Sequence, residues 1–139
     1  MKNILLIILA LSGTMLLRGQ VTYQPLSLML EEVFIPNAPA LQSFAVGQHN
    51  GRWLLMGGRI SGLHGHNPFN PFPSDSANAY VWMVDPVSQQ VWSAPLSSLP
   101  PLVARQLLGT NLCFHQKDSI LVLAGGYGYD AASDQYDTW

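Results

Sequence analysis

The sequence has little charge and almost no cysteine. Only 10% of its 139 residues are charged, against about a quarter in typical soluble domains. The six basic residues are scattered, so no basic cluster is available to bind nucleic acid or an anionic membrane surface. The single cysteine, Cys113, excludes an internal disulfide. We expect its thiol to be a small buried side chain within a strand.

Motifs of the common enzyme classes are also missing from the sequence. It contains no Gly-x-Ser-x-Gly, no phosphate-binding loop, no dinucleotide fingerprint and no zinc-protease helix. Apart from the pair His64 and His66, no further His or Cys recurs at the spacing of metal ligands. We therefore assign no catalytic residues, no metal site and no cofactor, and a binding role becomes the first hypothesis.

What the sequence does contain is 12 glycines, 10 prolines and 48% apolar residues. This mixture is typical of short strands joined by many turns. The composition therefore predicts an all-β protein.

The N-terminus has the pattern of a secretory signal peptide. Lys2 precedes an apolar stretch over residues 4–17, and Gly19 offers a small residue before cleavage at Gln20. This stretch of 14 residues, interrupted by Ser12-Gly13-Thr14, is too short for a membrane span, which needs about 20; an uncleaved anchor is the alternative. Cleavage would leave four basic residues against eight acidic ones. We expect a secreted, periplasmic or cell-surface protein with no membrane insertion after cleavage.

Two hairpins are predicted farther along the chain. After a proline-bearing segment in which residues 26–33 favour a short helix or strand, residues 43–47 and 52–56 flank an Asn-Gly turn. The second of these strands is apolar, is expected to be mostly buried, and ends at Gly57-Gly58. The further predicted strands are 80–84, 90–93, 110–115 and 119–124, the last ending at Gly125-Gly126. The two glycine doublets lie 68 residues apart, which indicates an internal repeat.

Two polar segments follow the glycine doublets. Residues 59–78 have no strand or helix period, and a loop of this length is often functional. Its candidate ligand-binding residues are Arg59, His64, His66, Phe69, Asn70 and Phe72. The histidine pair has the alternating spacing of metal ligands but no evident third ligand, so solvated histidines are the simpler interpretation. The segment after Gly126 is expected to be a polar loop whose aspartates are either solvated or calcium ligands.

These features resemble the kelch-repeat β-propeller family, in particular galactose oxidase-like central domains of secreted bacterial type. The resemblance covers residues 38–139. The segments that carry it are the strand ending in Gly57-Gly58, the run Tyr80–Asp85, Trp92, Leu99-Pro100-Pro101, Arg105 and the strand ending in Gly125-Gly126. The spacing of 68 exceeds the kelch repeat of about 50 residues, and the long loop accounts for the excess.

The resemblance implies a fold of kelch-type blades. Residues 1–19 would be the signal peptide, 20–40 an N-terminal entry segment, 41–100 a first blade with the loop 59–78, and 101–139 an incomplete second blade. Trp92 would fill the space between blades, so that its loss would cost about 3–5 kcal/mol. About one and a half blades would be present, and we expect a fragment of a longer propeller, or a ring completed by other chains.

The function expected from this resemblance is an exported binding module for a protein or glycan, with no catalysis of its own. Two alternatives remain. The family includes copper-radical sugar oxidases and sialic-acid epimerases, so the chain could belong to a carbohydrate-active enzyme; the oxidase copper ligands and tyrosine–cysteine cofactor cannot be placed on this sequence. A structural or adhesive part of a cell-surface protein is the other alternative.

Overall fold

The computed structural model describes residues 25–61 and 73–139. The predicted signal peptide, its cleavage site and most of the predicted loop lie outside these residues. The chain divides into two units, residues 1–32 and 33–139. In the first unit, residues 25–32 carry no regular secondary structure, and neither does Val33, so the short helix or strand expected over residues 26–33 is wrong. The described residues contain no helix with the length and apolar character of a membrane span.

The second unit is all-β, as predicted, with one short helix. Its strands are β1 (Ala45–His49), β2 (Arg52–Met56), β3 (Tyr80–Asp85), β4 (Gln90–Pro95), β5 (Cys113–Lys117), β6 (Ile120–Ala124), β7 (Tyr127–Asp130) and β8 (Gln135–Thr138). The α-helix α1 spans Pro101–Leu107, and short 3-10 turns span Ser74–Ser76 and Leu96–Ser98. Strands β1 to β4 form one antiparallel sheet in chain order, whereas β5–β6 and β7–β8 form separate two-stranded sheets.

Tight turns determine the register of the two predicted hairpins. In the first, Asn50 and Gly51 have φ values of 49° and 75°, and His49 pairs with Arg52. Positive φ at both central positions gives the turn the twist that a two-residue hairpin needs. The β5–β6 hairpin also has a two-residue turn, between Lys117 and Ile120, in which Asp118 has a φ of 53°. Both predicted hairpins are therefore present.

The backbone repeats at the spacing seen in the sequence. Gly57 and Gly125, 68 residues apart, have φ values of 66° and 67°. Ser43 and Asn111, at the same spacing, have φ values of 56° and 57°. Two isolated antiparallel bridges have the same spacing: Gln42 pairs with Arg59, and Thr110 pairs with Tyr127. The equivalence therefore extends from side-chain pattern to main-chain conformation.

The core lies between the first sheet and the segment that leads to β5. It consists of four buried apolar residues, Ala45, Leu96, Leu107 and Leu112. Helix α1 contributes Leu107 to this core and begins at Pro101, whose fixed φ suits the first helical position. The sequence predicts no helix at these residues. At seven residues the helix is too short to show a periodic pattern.

Several expected buried positions are exposed instead. In β2 only Leu55 is buried, while Trp53 and Leu54 are 38% and 36% exposed, so the prediction of a mostly buried strand is wrong. Trp92 is 39% exposed, and the Arg52 guanidinium lies 5.3 Å from its ring centre. The described residues therefore do not enclose the Trp92 ring.

Two further expectations fail in the second half of the chain. Cys113 is exposed rather than buried, although it does lie in a strand. The segment expected to be a polar loop after Gly126 forms the β7–β8 hairpin, in which Tyr129 pairs with Tyr136. Alternating tyrosines rather than apolar residues form the strand pattern here, and for this reason the sequence reading missed it.

Candidate ligand-binding site

Each glycine doublet forms a sharp corner at the end of a hairpin. At the first doublet, Gly57 and Gly58 have φ values of 66° and 80°, a conformation that favours glycine. The Gly58 N–H donates to the Gly109 carbonyl at 2.9 Å. A Cβ on Gly57 would lie 2.5 Å from a methyl of Leu112. The corner is therefore packed directly against the chain segment that enters the second hairpin.

Asn78 anchors the corner from the other side of the predicted loop. It is 1% exposed, and its side-chain amide donates to the carbonyls of Gly57 (3.0 Å) and Tyr80 (2.8 Å). Its Oδ1 accepts from the Tyr80 N–H (3.1 Å) and the Trp82 indole (3.0 Å). All the polar atoms of this amide are used, which fixes the start of β3 against the glycine corner. The sequence reading placed Asn78 at the end of the loop and missed this role.

Arg59, the first candidate from the sequence, lies directly beyond this corner. Its main chain pairs with Gln42 through two hydrogen bonds of 3.1 Å. Its guanidinium donates from Nε and Nη2 to the Ser61 hydroxyl, at 2.8 and 2.6 Å. Residues 73–78 also belong to this structure, since Ala77 bridges Arg59 and the Ile60 N–H donates to the Ser76 carbonyl. Residues 59–61 and 73–78 of the predicted loop are thus hydrogen-bonded to each other.

Three tyrosines of the β7–β8 hairpin lie near Arg59. This hairpin follows the second glycine doublet directly. Tyr127 occupies the repeat position equivalent to Arg59. Its ring stacks on that of Tyr136 at a centroid distance of 5.8 Å and an angle of 15°. Tyr129 meets the Tyr136 ring edge-on at 5.4 Å. The Tyr136 ring is 39% exposed and contacts both other rings of this aromatic group, the tyrosine cluster (Tyr127, Tyr129 and Tyr136).

A shallow cleft separates Arg59 from the tyrosine cluster. Its lining residues include Gly58, Arg59, Pro73, Ser76, Ala77, Leu108, Thr110, Tyr127, Gly128, Tyr129 and Tyr136. Its volume of about 20 Å³ is enough for one water molecule. Thr110 is one of the lining residues, and its hydroxyl is buried and has no hydrogen-bond partner among the described residues. The cleft itself can accept a single polar group, and a larger ligand would have to lie across its mouth.

The carboxylates near the cluster are engaged with protein groups. Asp130 is buried, and hydrogen bonds from the Ser133 side chain (2.7 Å) and the Ala132 N–H, together with the Arg105 guanidinium at 2.7 Å, hold its pKa below the ordinary value. Asp134 accepts a hydrogen bond from the Tyr129 hydroxyl, which raises the pKa of that tyrosine. No group of three acidic, His or Cys side chains converges within the described residues.

Helix α1 connects the second glycine corner and Trp139 to the core, to which it contributes Leu107. The Arg105 guanidinium lies 4.5 Å from the centre of the Trp139 ring, and the Gln106 amide donates to the Gly125 carbonyl at 2.6 Å. The Trp139 N–H donates to the Gly126 carbonyl at 3.1 Å, as the Asn78 N–H does to Gly58. The two glycine corners are thus held by equivalent main-chain hydrogen bonds, although their following segments differ in length.

The remaining candidates from the sequence are not among the residues that line the described site. His64, His66, Phe69, Asn70 and Phe72 lie outside the described residues. Of the repeat residues, Tyr80 packs against Trp82 at 5.6 Å. Asp85 accepts hydrogen bonds from the Ser88 and Val87 N–H groups, which lower its pKa. These two residues shape β3 and its turn.

The tyrosine cluster is the part of the site that sequence reasoning missed. The signal was the Tyr-Gly-Tyr alternation at residues 127–129, which places both rings on one face of a strand. Comparison with known proteins finds no matching family model, no matching curated protein and no matching solved structure.

Proposed function

We propose that this chain is an exported kelch-type propeller segment that acts as a binding module, with a glycan as ligand. The observation that carries the proposal is the tyrosine cluster beside Arg59 and the unpartnered Thr110 hydroxyl, at the glycine-doublet end of both hairpins. The signal-peptide pattern of residues 1–19 supports export.

Three features support the propeller part of the proposal. The first sheet is a four-stranded antiparallel meander, the arrangement of a propeller blade. The β5–β6 hairpin repeats the β1–β2 hairpin with the same register. Each hairpin ends in a glycine doublet at positive φ. In a propeller, equivalent corners of successive blades lie at one end, which would present Arg59 and Tyr127 on a common surface.

The chemistry of the site favours a sugar over a larger apolar ligand. An exposed tyrosine ring offers an apolar face on which the C–H groups of a sugar can stack, and its hydroxyl offers a hydrogen bond at the edge. Thr110 and Arg59 add polar partners for sugar hydroxyls or a carboxylate. The 20 Å³ cleft can accept one such hydroxyl but excludes a bulky apolar group.

Glycan-array screening of the exported protein, followed by calorimetry on the best ligand, tests this proposal. Removal of the exposed ring in Tyr136→Ala is expected to weaken binding by about 5- to 150-fold, because a desolvated aromatic contact contributes about 1–3 kcal/mol. Tyr80→Ala is the matched control, since Tyr80 is 44% exposed but lies outside the site.

Two results would contradict the proposal. One is the absence of any bound glycan on the array. The other is an equal loss of affinity in the Tyr136 and Tyr80 variants, which would mean that the effect is on folding and not on the site. Loss of binding in Tyr136→Ala with an unchanged unfolding midpoint is the expected outcome.

A further inference from the structure

The two repeats differ at one side chain beside the cleft. Gln42 and Thr110 lie 68 residues apart, and their main chains form equivalent bridges, with Arg59 and with Tyr127. In the first repeat the Gln42 side-chain amide donates a hydrogen bond to the Ser61 carbonyl. In the second repeat the Thr110 side chain is shorter, and its buried hydroxyl has no hydrogen-bond partner among the described residues. The first repeat thus has a side-chain hydrogen bond at this position that the second lacks.

The carbonyl that corresponds to that of Ser61 belongs to Tyr129, 68 residues farther along the chain. The Tyr127 N–H and carbonyl both bond to the main chain of Thr110. Because main-chain polar groups alternate in direction along a strand, those of Tyr129 point to the same side of β7 as those of Tyr127. Thr110 and Tyr129 both line the cleft of about 20 Å³. The cleft thus lies beside the acceptor that a longer side chain at position 110 would bond.

The charges and dipoles around the cleft disfavour an ionic group inside it. Arg59 is a lining residue, and its positive charge repels a ligand ammonium group. A carboxylate only accepts hydrogen bonds, so it would repel the Tyr129 carbonyl, and Asp134 already accepts a hydrogen bond from the hydroxyl of the same tyrosine. A hydroxyl is neutral and both donates and accepts, and its oxygen is about the size of the single water molecule for which the cleft has room.

We infer that the cleft binds one hydroxyl of a neutral sugar, in the position that corresponds to the Gln42 amide, and that Thr110 is a specificity-determining residue of the site. The ligand hydroxyl donates to the Tyr129 carbonyl and accepts from the Thr110 hydroxyl, which thereby gains the partner that it lacks. The sugar ring lies over Tyr136. This inference rests on the proposed function and narrows its ligand from glycans in general to neutral glycans.

The test compares two substitutions at Thr110 by calorimetry with neutral oligosaccharides of glucose, mannose and galactose. Thr110→Gln gives the second repeat the side chain of the first. Its amide should reach the Tyr129 carbonyl and fill the cleft, so affinity should fall by more than about tenfold. Thr110→Val keeps the shape of the residue but removes the hydroxyl, so affinity should fall by about three- to tenfold, as for one lost hydrogen bond. The urea unfolding midpoint of both variants should not fall below that of the unchanged protein.

Oligogalacturonic acid is the matched acidic probe, because its sugar differs from galactose by a carboxylate. Binding of this acid as tight as that of the neutral sugars, or unchanged affinity in either Thr110 variant, would overturn the inference. If the binding is nevertheless lost in Tyr136→Ala, the proposed glycan site stands and only the inferred ligand group is wrong. Absence of binding to every sugar would contradict the proposed function itself. If Thr110→Gln does not fold, Thr110→Val decides alone, since it adds no bulk to the cleft.

Discussion

At the scale of single residues, the polar side chains with the most contacts hold main chain in place. Asn78 uses both ends of its amide on Gly57, Tyr80 and Trp82, and it is almost fully buried. A buried amide has this effect only when all its donors and acceptors are satisfied. The proposed ligand site lies on the other side of the same corner, so its geometry depends on this residue.

Replacement of Asn78 by alanine should lower the free energy of unfolding by about 3 kcal/mol. The reason is that the Trp82 indole and the carbonyls that Asn78 serves would lose buried partners. Urea unfolding followed by tryptophan fluorescence measures the change. The control is Gln90→Ala, on an exposed position of β4, which should change stability by less than about 0.5 kcal/mol. Similar values for both variants would mean that Asn78 does not anchor the corner.

At the scale of elements, two glycines at positive φ distinguish the energetic cost of backbone strain from the cost of a packing clash. Gly51 and Gly57 have similar φ values, 75° and 66°. A Cβ on Gly51 would meet nothing within 4 Å, whereas one on Gly57 would lie 2.5 Å from a Leu112 methyl and 2.9 Å from the Gly109 carbonyl. The two positions therefore differ in their surroundings and hardly in backbone conformation.

Alanine at these two positions should have clearly different effects. Gly51→Ala should cost about 1 kcal/mol, because only the unfavourable φ is imposed. Gly57→Ala should cost about 3 kcal/mol, because the methyl group also displaces Leu112 and main chain. Thermal and urea unfolding of the two variants, compared in one buffer, provide the measurement. Equal destabilisation would show that the corner can move away from the added methyl.

The elements also show which structure the sequence could predict. Hairpins β1–β2 and β5–β6 were predictable because an apolar strand, a tight turn and a glycine doublet are local signals. Strands β7 and β8 were not, since they consist of Tyr, Gly, Asp, Gln and Thr and contain no aliphatic residue. The ion pair between Arg105 of α1 and Asp130 of β7 is a tertiary contact that the local sequence does not show. Burial was the least predictable property: Cys113 and much of β2 are exposed because no second layer covers them among the described residues.

The same limit applies to the candidate site. Arg59 was identifiable because it follows a glycine doublet directly. Its neighbours Tyr127 and Tyr136 come from a different hairpin, and only the fold brings them to one cleft. Because Arg59 and Tyr127 are far apart in the sequence, their proximity could have been predicted only by aligning the two glycine doublets.

At the scale of the whole second unit, the two repeat hairpins are joined at equivalent positions. The Gln116 side chain accepts a hydrogen bond from the Gln48 N–H at 2.7 Å and donates one to the Gln48 carbonyl. The Asn111 N–H donates to the Ser43 carbonyl at 3.0 Å. Each contact joins residues 68 positions apart, so the two hairpins meet through corresponding residues.

Gln116 and Gln48 offer a matched test of this joint, because only one of the two side chains takes part. Gln116→Ala removes both hydrogen bonds to Gln48 and should lower the free energy of unfolding by about 1 kcal/mol. Gln48→Ala keeps its own N–H and carbonyl, so stability should stay within about 0.5 kcal/mol. Urea unfolding gives both values, and amide exchange at Gln48 should quicken in the first variant and not in the second. A larger loss in Gln48→Ala would mean that the hairpins are joined by a different contact, since the Gln116 side chain would then be dispensable.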